Sequence, residues 1–194
     1  MVELVDTRDL KSLEGNFVPV QVRLWAPLLY WFSMYEKIFM EAALDEAKIA
    51  YLNDEVPVGA VIVLDGRIIA TGRNECIKQN SPIKHAEIIA IESACNSIRN
   101  YRLSKAHLYV TLEPCHMCAM AVVNARIEKI FFGAFEPKSG SAASVDNFFE
   151  KGFLNHKVYS SGGHMEKESR LLLKKFFNSK RKNLLYSNSN QTGQ

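Results

Sequence analysis

The chain has 194 residues, 47% of them hydrophobic and 23% charged, with a net charge of +3. That length suits one domain and that balance buries a core, which excludes disordered, collagenous and disulfide-stapled classes. The longest apolar run, 24–32, is short for a membrane span and contains Pro27, and four cysteines behind an acidic start (Glu3, Asp6, Asp9) predict a reducing cytoplasm.

Residues 1–33 show neither a helical nor an alternating period and scatter Gly15, Pro19 and Pro27 through mixed polarity. The segment 1–27 resembles the peptide produced when a tRNA gene is translated, so 1–33 is expected to be a non-native or unstructured extension, with Met34 the true start. Over 36–52, Ile38, Phe39, Ala42, Ala43, Ala47 and Ala50 recur at helical spacing and predict a first helix. A β-branched run at 59–64, the turn pair Asp65-Gly66 and a return strand at 67–71 predict a hairpin. A helix over 86–98 carries Glu87 and Glu92 early in its run. Then a strand at 106–111, a helix at 115–125 and a strand at 129–133 predict a βαβ unit with a parallel pair. A short strand near 157–160 and a helix through about 180 complete the domain, 34–182, and 183–194 is expected to be a disordered polar tail. From Met165 onward seven basic residues face only Glu166 and Glu168; this is a solvated helix face or a phosphate contact.

Two fragments carry chemistry: His85-Ala86-Glu87 opening one helix and Pro114-Cys115-His116-Met117-Cys118 opening the next. Alone, a C-x-x-C is a redox pair, half a structural zinc site or chance, and a lone histidine is a cap or a surface residue. Together, His85, Cys115 and Cys118 supply the three protein ligands of a catalytic zinc, one Zn2+ per subunit, with a fourth position left open. Cysteines three apart at a helix start share a face, and the helix N-terminus favours the thiolate. Pro114 suits the position just ahead of the helical turn. Glu87 is expected to be no ligand but the proton shuttle, taking a proton from water and returning it as an acid. H-x-E followed by P-C-x-x-C is the signature of zinc-dependent nucleobase deaminases.

Further stretches narrow the resemblance: Glu55-Val56-Pro57-Val58-Gly59-Ala60, Asn74, Asn100-Tyr101-Arg102-Leu103, Leu108 through Cys115, Arg126-Ile127, Phe132-Gly133-Ala134, Lys138-Ser139-Gly140, Asn155-His156 and Phe176-Phe177 ahead of Arg181-Lys182. Over 34–182 the chain resembles the bacterial tRNA-specific adenosine deaminases of the cytidine/deoxycytidylate deaminase superfamily. The resemblance implies a cytidine deaminase-like three-layer α/β/α sandwich with a five-stranded mixed sheet, a homodimer whose active sites receive residues from the partner, and hydrolysis of the wobble adenosine of a tRNA anticodon to inosine. It implies that Asn74 and the backbone at Ala86 hold the flipped purine and that Val56 and Pro57 wall the pocket. It also implies that Lys138 with its neighbours 136–139, Asn155, His156 and the basic C-terminal helix meet the anticodon stem-loop. The chain departs from the family pattern at Ser81, where an acidic residue is common, and at Lys84, where a small one is.

Other readings stand beside these. Cys76 and Cys95 complete a four-thiol structural zinc site or are buried free thiols. His116 points away from the ligands, His107 and His164 are structural, and Glu113 holds the turn before the ligands. Phe131, Phe132, Phe148, Phe149, Phe176 and Phe177 are core or interface. A deaminase of a free base or nucleoside such as guanine or cytosine is one rival, opposed by the basic helix and Phe176-Phe177. A noncatalytic zinc-supported RNA-binding module is the other, opposed by Glu87.

Overall fold

Asp65 and Gly66 turn the chain back with φ of 49° and 72°, the doubly positive pair that a two-residue hairpin requires. The hairpin they close is one side of the sheet in this computed structural model, which describes the backbone over 25–191 and side chains over 37–182. Contacts divide the chain into two units, Met1–Ser33 and Met34–Gln194, and the site-building elements belong to the second.

Five strands, β1 (Gly59–Leu64), β2 (Arg67–Arg73), β3 (His107–Leu112), β4 (Lys129–Ala134) and β5 (Tyr159–Ser161), lie in the order β2-β1-β3-β4-β5. β1 runs antiparallel to β2 and β3, whereas β3, β4 and β5 are mutually parallel, so the sheet is mixed as expected. The helices are α1 (Trp25–Leu52), α2 (Ala86–Ile98), α3 (His116–Asn124) and α4 (Glu166–Gln191), with one 3-10 turn at Phe148–Glu150.

Alternation along the strands assigns the faces. Ala60, Ile62, Leu108, Val110, Ile130 and Phe132 join Ala90 and Ala94 of α2 and Ala119 and Val122 of α3 in one core. Val61, Val63, Tyr109 and Phe131 meet Phe39, Met40 and Ala43 of α1 in a second. α4 packs on that second face, where a Cβ at Gly133 would lie 2.5 Å from Ser169 Oγ. The result is the three-layer α/β/α sandwich, with five of the six phenylalanines named above buried and only Phe177 exposed. No helix among the described residues is long and apolar enough to cross a membrane.

One close approach fixes the site. A Cβ at Gly72 would lie 2.3 Å from the Ala86 carbonyl and 2.5 Å from the Ala90 nitrogen, so the first turn of α2 rests directly on β2. That contact sets where His85 and Glu87 emerge.

Two expected boundaries move. Residues 25–33, read as part of an unpatterned extension, are helical in α1, while 1–24 lie outside the described residues. Pro27 stands in the first turn, where its missing N–H would have no partner anyway, so it does not break the helix. α4 runs to Gln191 rather than ending near Lys180, so most of the expected tail is helical; only 192–194 fall outside the described residues. No glycine or proline interrupts 181–191, and polarity alone does not stop a helix.

Candidate active site

Two helices direct their N-termini at one point. His85 is the N-cap of α2 (φ −74°, ψ 156°) and Cys115 the N-cap of α3 (φ −77°, ψ 170°); neither side chain makes a capping hydrogen bond. They face each other instead, with His85 Nδ1 3.8 Å from Cys115 Sγ and 3.5 Å from Cys118 Sγ, and the three donor atoms all lie within 4.8 Å of one another. A tetrahedral zinc with Zn–S near 2.3 Å and Zn–N near 2.0 Å requires N and S about 3.5 Å apart, so this donor set fits the ion in both chemistry and spacing.

The electrostatics favour a cation. The Cys115 thiol is lowered to about 3, chiefly because Cys118 donates to it and His85 adds a second hydrogen bond. Cys118 is raised, since it donates that hydrogen bond, is buried and faces Glu87. Two thiols sharing one proton become two thiolates when a dication replaces the proton. His85 is also raised, by its hydrogen bond to Cys115 and by the charges of Glu87 and Cys115, so the surroundings are anionic.

Glu87, second residue of α2, is buried at 4% exposure and lines the same cleft without joining the ligand set. Burial pushes its carboxyl up to about 7. A buried carboxyl with that affinity for protons accepts one and returns it near neutral pH.

The cleft encloses about 260 Å³ and is walled by Glu55, Val56, Val58, Asn74, Cys76, Ile77, Leu112, Glu136 and Ser139 besides the site residues. A larger hollow of about 550 Å³ between α1 and α4, lined by Glu41, Lys48, Leu171 and Lys175, holds none of these groups. Asn74 is buried, and its Oδ1 accepts the Ala86 N–H at 2.8 Å, which leaves Nδ2 as the donor nearest the cleft. Val56 reaches the cleft, whereas Pro57 is buried outside its lining. Lys138 is exposed beside Ser139, its backbone N–H bonded to Glu136 Oε1.

Asn155 and His156 lie elsewhere. The Asn155 carbonyl accepts from Arg126 Nη1 at 2.5 Å, and His156 Nε2 lies 2.8 Å from the Ile127 carbonyl, both ahead of β4. The cleft lies beyond the opposite ends of β3 and β4, five residue steps or about 16 Å along the strand.

Neither departure from the family pattern touches the ligands. Lys84 Nζ pairs with Glu92 of α2 at 2.7 Å, and the Ser81 backbone N–H bonds to the Cys76 carbonyl at 3.0 Å. Cys76 and Cys95 stand outside the ligand cluster, the first bonded to the Lys84 carbonyl and the second to that of Tyr101. His116 is exposed and lies 3.3 Å from Asp146.

Residues 34–134 match the cytidine and deoxycytidylate deaminase zinc-binding region. The chain is 47% identical to the tRNA-specific adenosine deaminase of Agrobacterium fabrum over 143 residues, covering 74% of this chain and 94% of that protein. Against the enzyme of the same name from Bacillus subtilis it is 43% identical over 147 residues, 76% of this chain and 91% of that one. A structure solved in a study of A-to-I editing by tRNA:A34 deaminases superposes with a TM-score of 0.67 at 46% identity, covering 69% of this chain and 97% of its own. The chain belongs to the tRNA-specific adenosine deaminases.

For a deaminase of this family, the sequence reading misses one group at the site. Glu113 is buried at 3% and accepts five hydrogen bonds from 136–144 rather than holding only its own turn. Burial alone would raise its carboxyl, but the bonds from Ser144, Glu136 and Ala143 outweigh it and hold the group below the ordinary value. Its partners lie 23–31 residues away, so no local pattern marks them.

The raised Glu87 carboxyl makes the stability of the metal-stripped deaminase depend on pH. At pH 4 Glu87 is protonated in both the folded and the unfolded chain and contributes no difference. As pH rises from 4.5 through about 7 the unfolded chain ionises first and stability falls. That interval corresponds to on the order of 3 kcal/mol. Urea unfolding in chelator is expected to find Glu87→Gln more stable than the parent by a few kcal/mol at pH 8 and equal to it at pH 4. A gap that does not change with pH would contradict this reading.

Proposed function

We propose that this deaminase hydrolyses the wobble adenosine of a tRNA anticodon to inosine, releasing ammonia. The observation that carries this reading is the buried Glu87 carboxyl beside a cluster of three donors able to hold a metal, in a chain of this family. His85, Cys115 and Cys118 would hold the zinc, which would supply Lewis-acid activation of water.

The chain's residues do the rest. Asn74, fixed by its bond to the Ala86 N–H, offers Nδ2 to a ring nitrogen of the purine. Val56 flanks the base from the cleft wall, with Pro57 buried behind it. Glu87 takes a proton from the attacking water and delivers it to N1 as the new C–O bond forms at C6. It then passes the second proton of that water to the departing amine as the C6–N bond breaks. Water and adenosine become inosine and ammonia, and Glu87 ends as it began.

Lys138, Lys174 and Lys182, which are exposed and form no salt bridge among the described residues, suit the phosphates of an anticodon stem-loop. Asn155 and His156 lie too far from their own cleft to serve it, and in a homodimer they would meet RNA held at the partner's. Met117 and Met120, both 36% exposed on α3, support such an interface. The expected setting is the cytoplasm, where tRNA is modified, and the active domain spans 34–182.

The test incubates zinc-loaded protein with an anticodon stem-loop carrying wobble adenosine and, separately, with free adenosine, guanine, cytosine and cytidine. Inosine from the stem-loop alone is the expected result. Product from a free base alone would overturn the substrate.

A further inference from the structure

The sequence Glu113-Pro114-Cys115 ties the metal-ligand turn to a segment more than twenty residues downstream. Glu113 Oε1 accepts the backbone N–H groups of Ala142, Ala143 and Ser144 at 3.1, 2.7 and 2.9 Å. Its Oε2 accepts the Glu136 N–H at 2.9 Å and the Ser144 hydroxyl. The next carbonyl, that of Pro114, accepts both the N–H of Ser141 at 2.9 Å and its hydroxyl at 2.8 Å. Gly140 is the residue that lets the loop close on this carboxylate: a Cβ there would lie 2.3 Å from Glu113 Cδ and Oε2 and 2.6 Å from the Glu136 carbonyl. The segment so held carries Glu136 and Ser139, which line the cleft together with Val56 and Asn74.

We propose that Glu113 is a positioning residue that fixes the 136–144 loop as the cleft wall and thereby sets how tightly substrate is captured. The proposal rests on the reading of the cleft as the site for tRNA. Five donors meet one carboxylate, and no residue that itself donates can satisfy them. In Glu113→Gln the amide NH2 must face one side. Three fixed N–H groups surround Oε1, whereas on the Oε2 side the Ser144 hydroxyl can reverse and accept. The NH2 therefore turns to the Oε2 side and strands the Glu136 N–H, so the cleft-wall end of the loop loosens first. The Ser141 bonds to Pro114 stay intact.

The experiment compares zinc-loaded parent, Glu113→Gln, Gly140→Ala and the double variant in steady-state kinetics on the wobble-adenosine stem-loop, with zinc content and amide hydrogen exchange read on the same samples. For Glu113→Gln the expected outcome is full zinc content, kcat within about threefold of the parent and KM raised about tenfold or more. The Glu136 amide should exchange about tenfold faster while the Ser141 amide is unchanged. Because both substitutions act through one contact, the double variant should raise KM by much less than the product of the single effects. Loss of zinc, a fall in kcat with KM unchanged, or an unaltered Glu136 amide would overturn the proposal. If the parent itself does not act on the stem-loop, the functional reading fails, while the exchange of Glu136 in Glu113→Gln still decides whether the carboxylate fixes the loop.

Discussion

Replacing Glu87 with alanine is expected to leave one zinc per chain and to lower kcat on the stem-loop by about 10³-fold or more. The donor atoms grouped to hold a metal are those of His85, Cys115 and Cys118, and Glu87 is outside that set, so its removal should take nothing from the metal. It does remove the buried carboxyl that lines the cleft beside them. In the proposed reaction every proton passes through this position: one from water to N1, a second to the departing amine. Of the other carboxylates lining the cleft, Glu113 is consumed by its loop bonds, Glu55 Oε1 accepts the Lys78 N–H at 2.8 Å and Glu136 Oε1 accepts the Lys138 N–H at 2.9 Å. Zinc by elemental analysis and single-turnover kinetics check the two halves separately. Substantial activity in Glu87→Ala would remove the shuttle from the account, and loss of zinc would make Glu87 a ligand.

Cys118→Ala should do the opposite, losing metal and activity together. Cys118 has no exposed surface and is the only ligand inside the first turn of α3 rather than at a cap. Two ligands remain without it, and since a zinc site distributes on the order of 10 kcal/mol among its ligands, the affinity should fall by roughly two orders of magnitude or more. Cys76→Ala is the matching control. Its thiol lines the same cleft but bonds to the Lys84 carbonyl outside the cluster, so that variant should keep its zinc. Full zinc content in Cys118→Ala would contradict the ligand assignment.

The parts of this molecule that the sequence makes legible are those written in local chemistry. Asp65-Gly66 announces a hairpin because two consecutive positive φ values suit few residue pairs. His85 and Glu87, and Cys115 and Cys118, are each close together in sequence and sit at helix starts, so their spacing constrains where their side chains go. Residues 25–33 look unpatterned in sequence because Pro27 suggests a break, although in a first turn proline breaks nothing. The end of α4 misled because polar residues suit an exposed helix as well as a tail.

Long-range placement was the harder matter. Glu113 reads as a turn residue until the 136–144 loop is folded back onto it. Asn155 and His156 carry a motif that the resemblance assigns to RNA, but only the register of β4 reveals that they sit at the other end of the sheet from their own cleft. Pro57 adjoins the cleft-lining Val56 in sequence yet turns inward.

The most direct test of the central claim is to run the reaction on the wobble-adenosine stem-loop in 18O-labelled water and locate the label by mass spectrometry of the digested RNA. The account predicts one labelled oxygen, at C6 of the wobble purine and at no other nucleotide, absent when Glu87→Ala replaces the parent. Label at another base, or an unmodified stem-loop with the zinc-loaded parent, would contradict it.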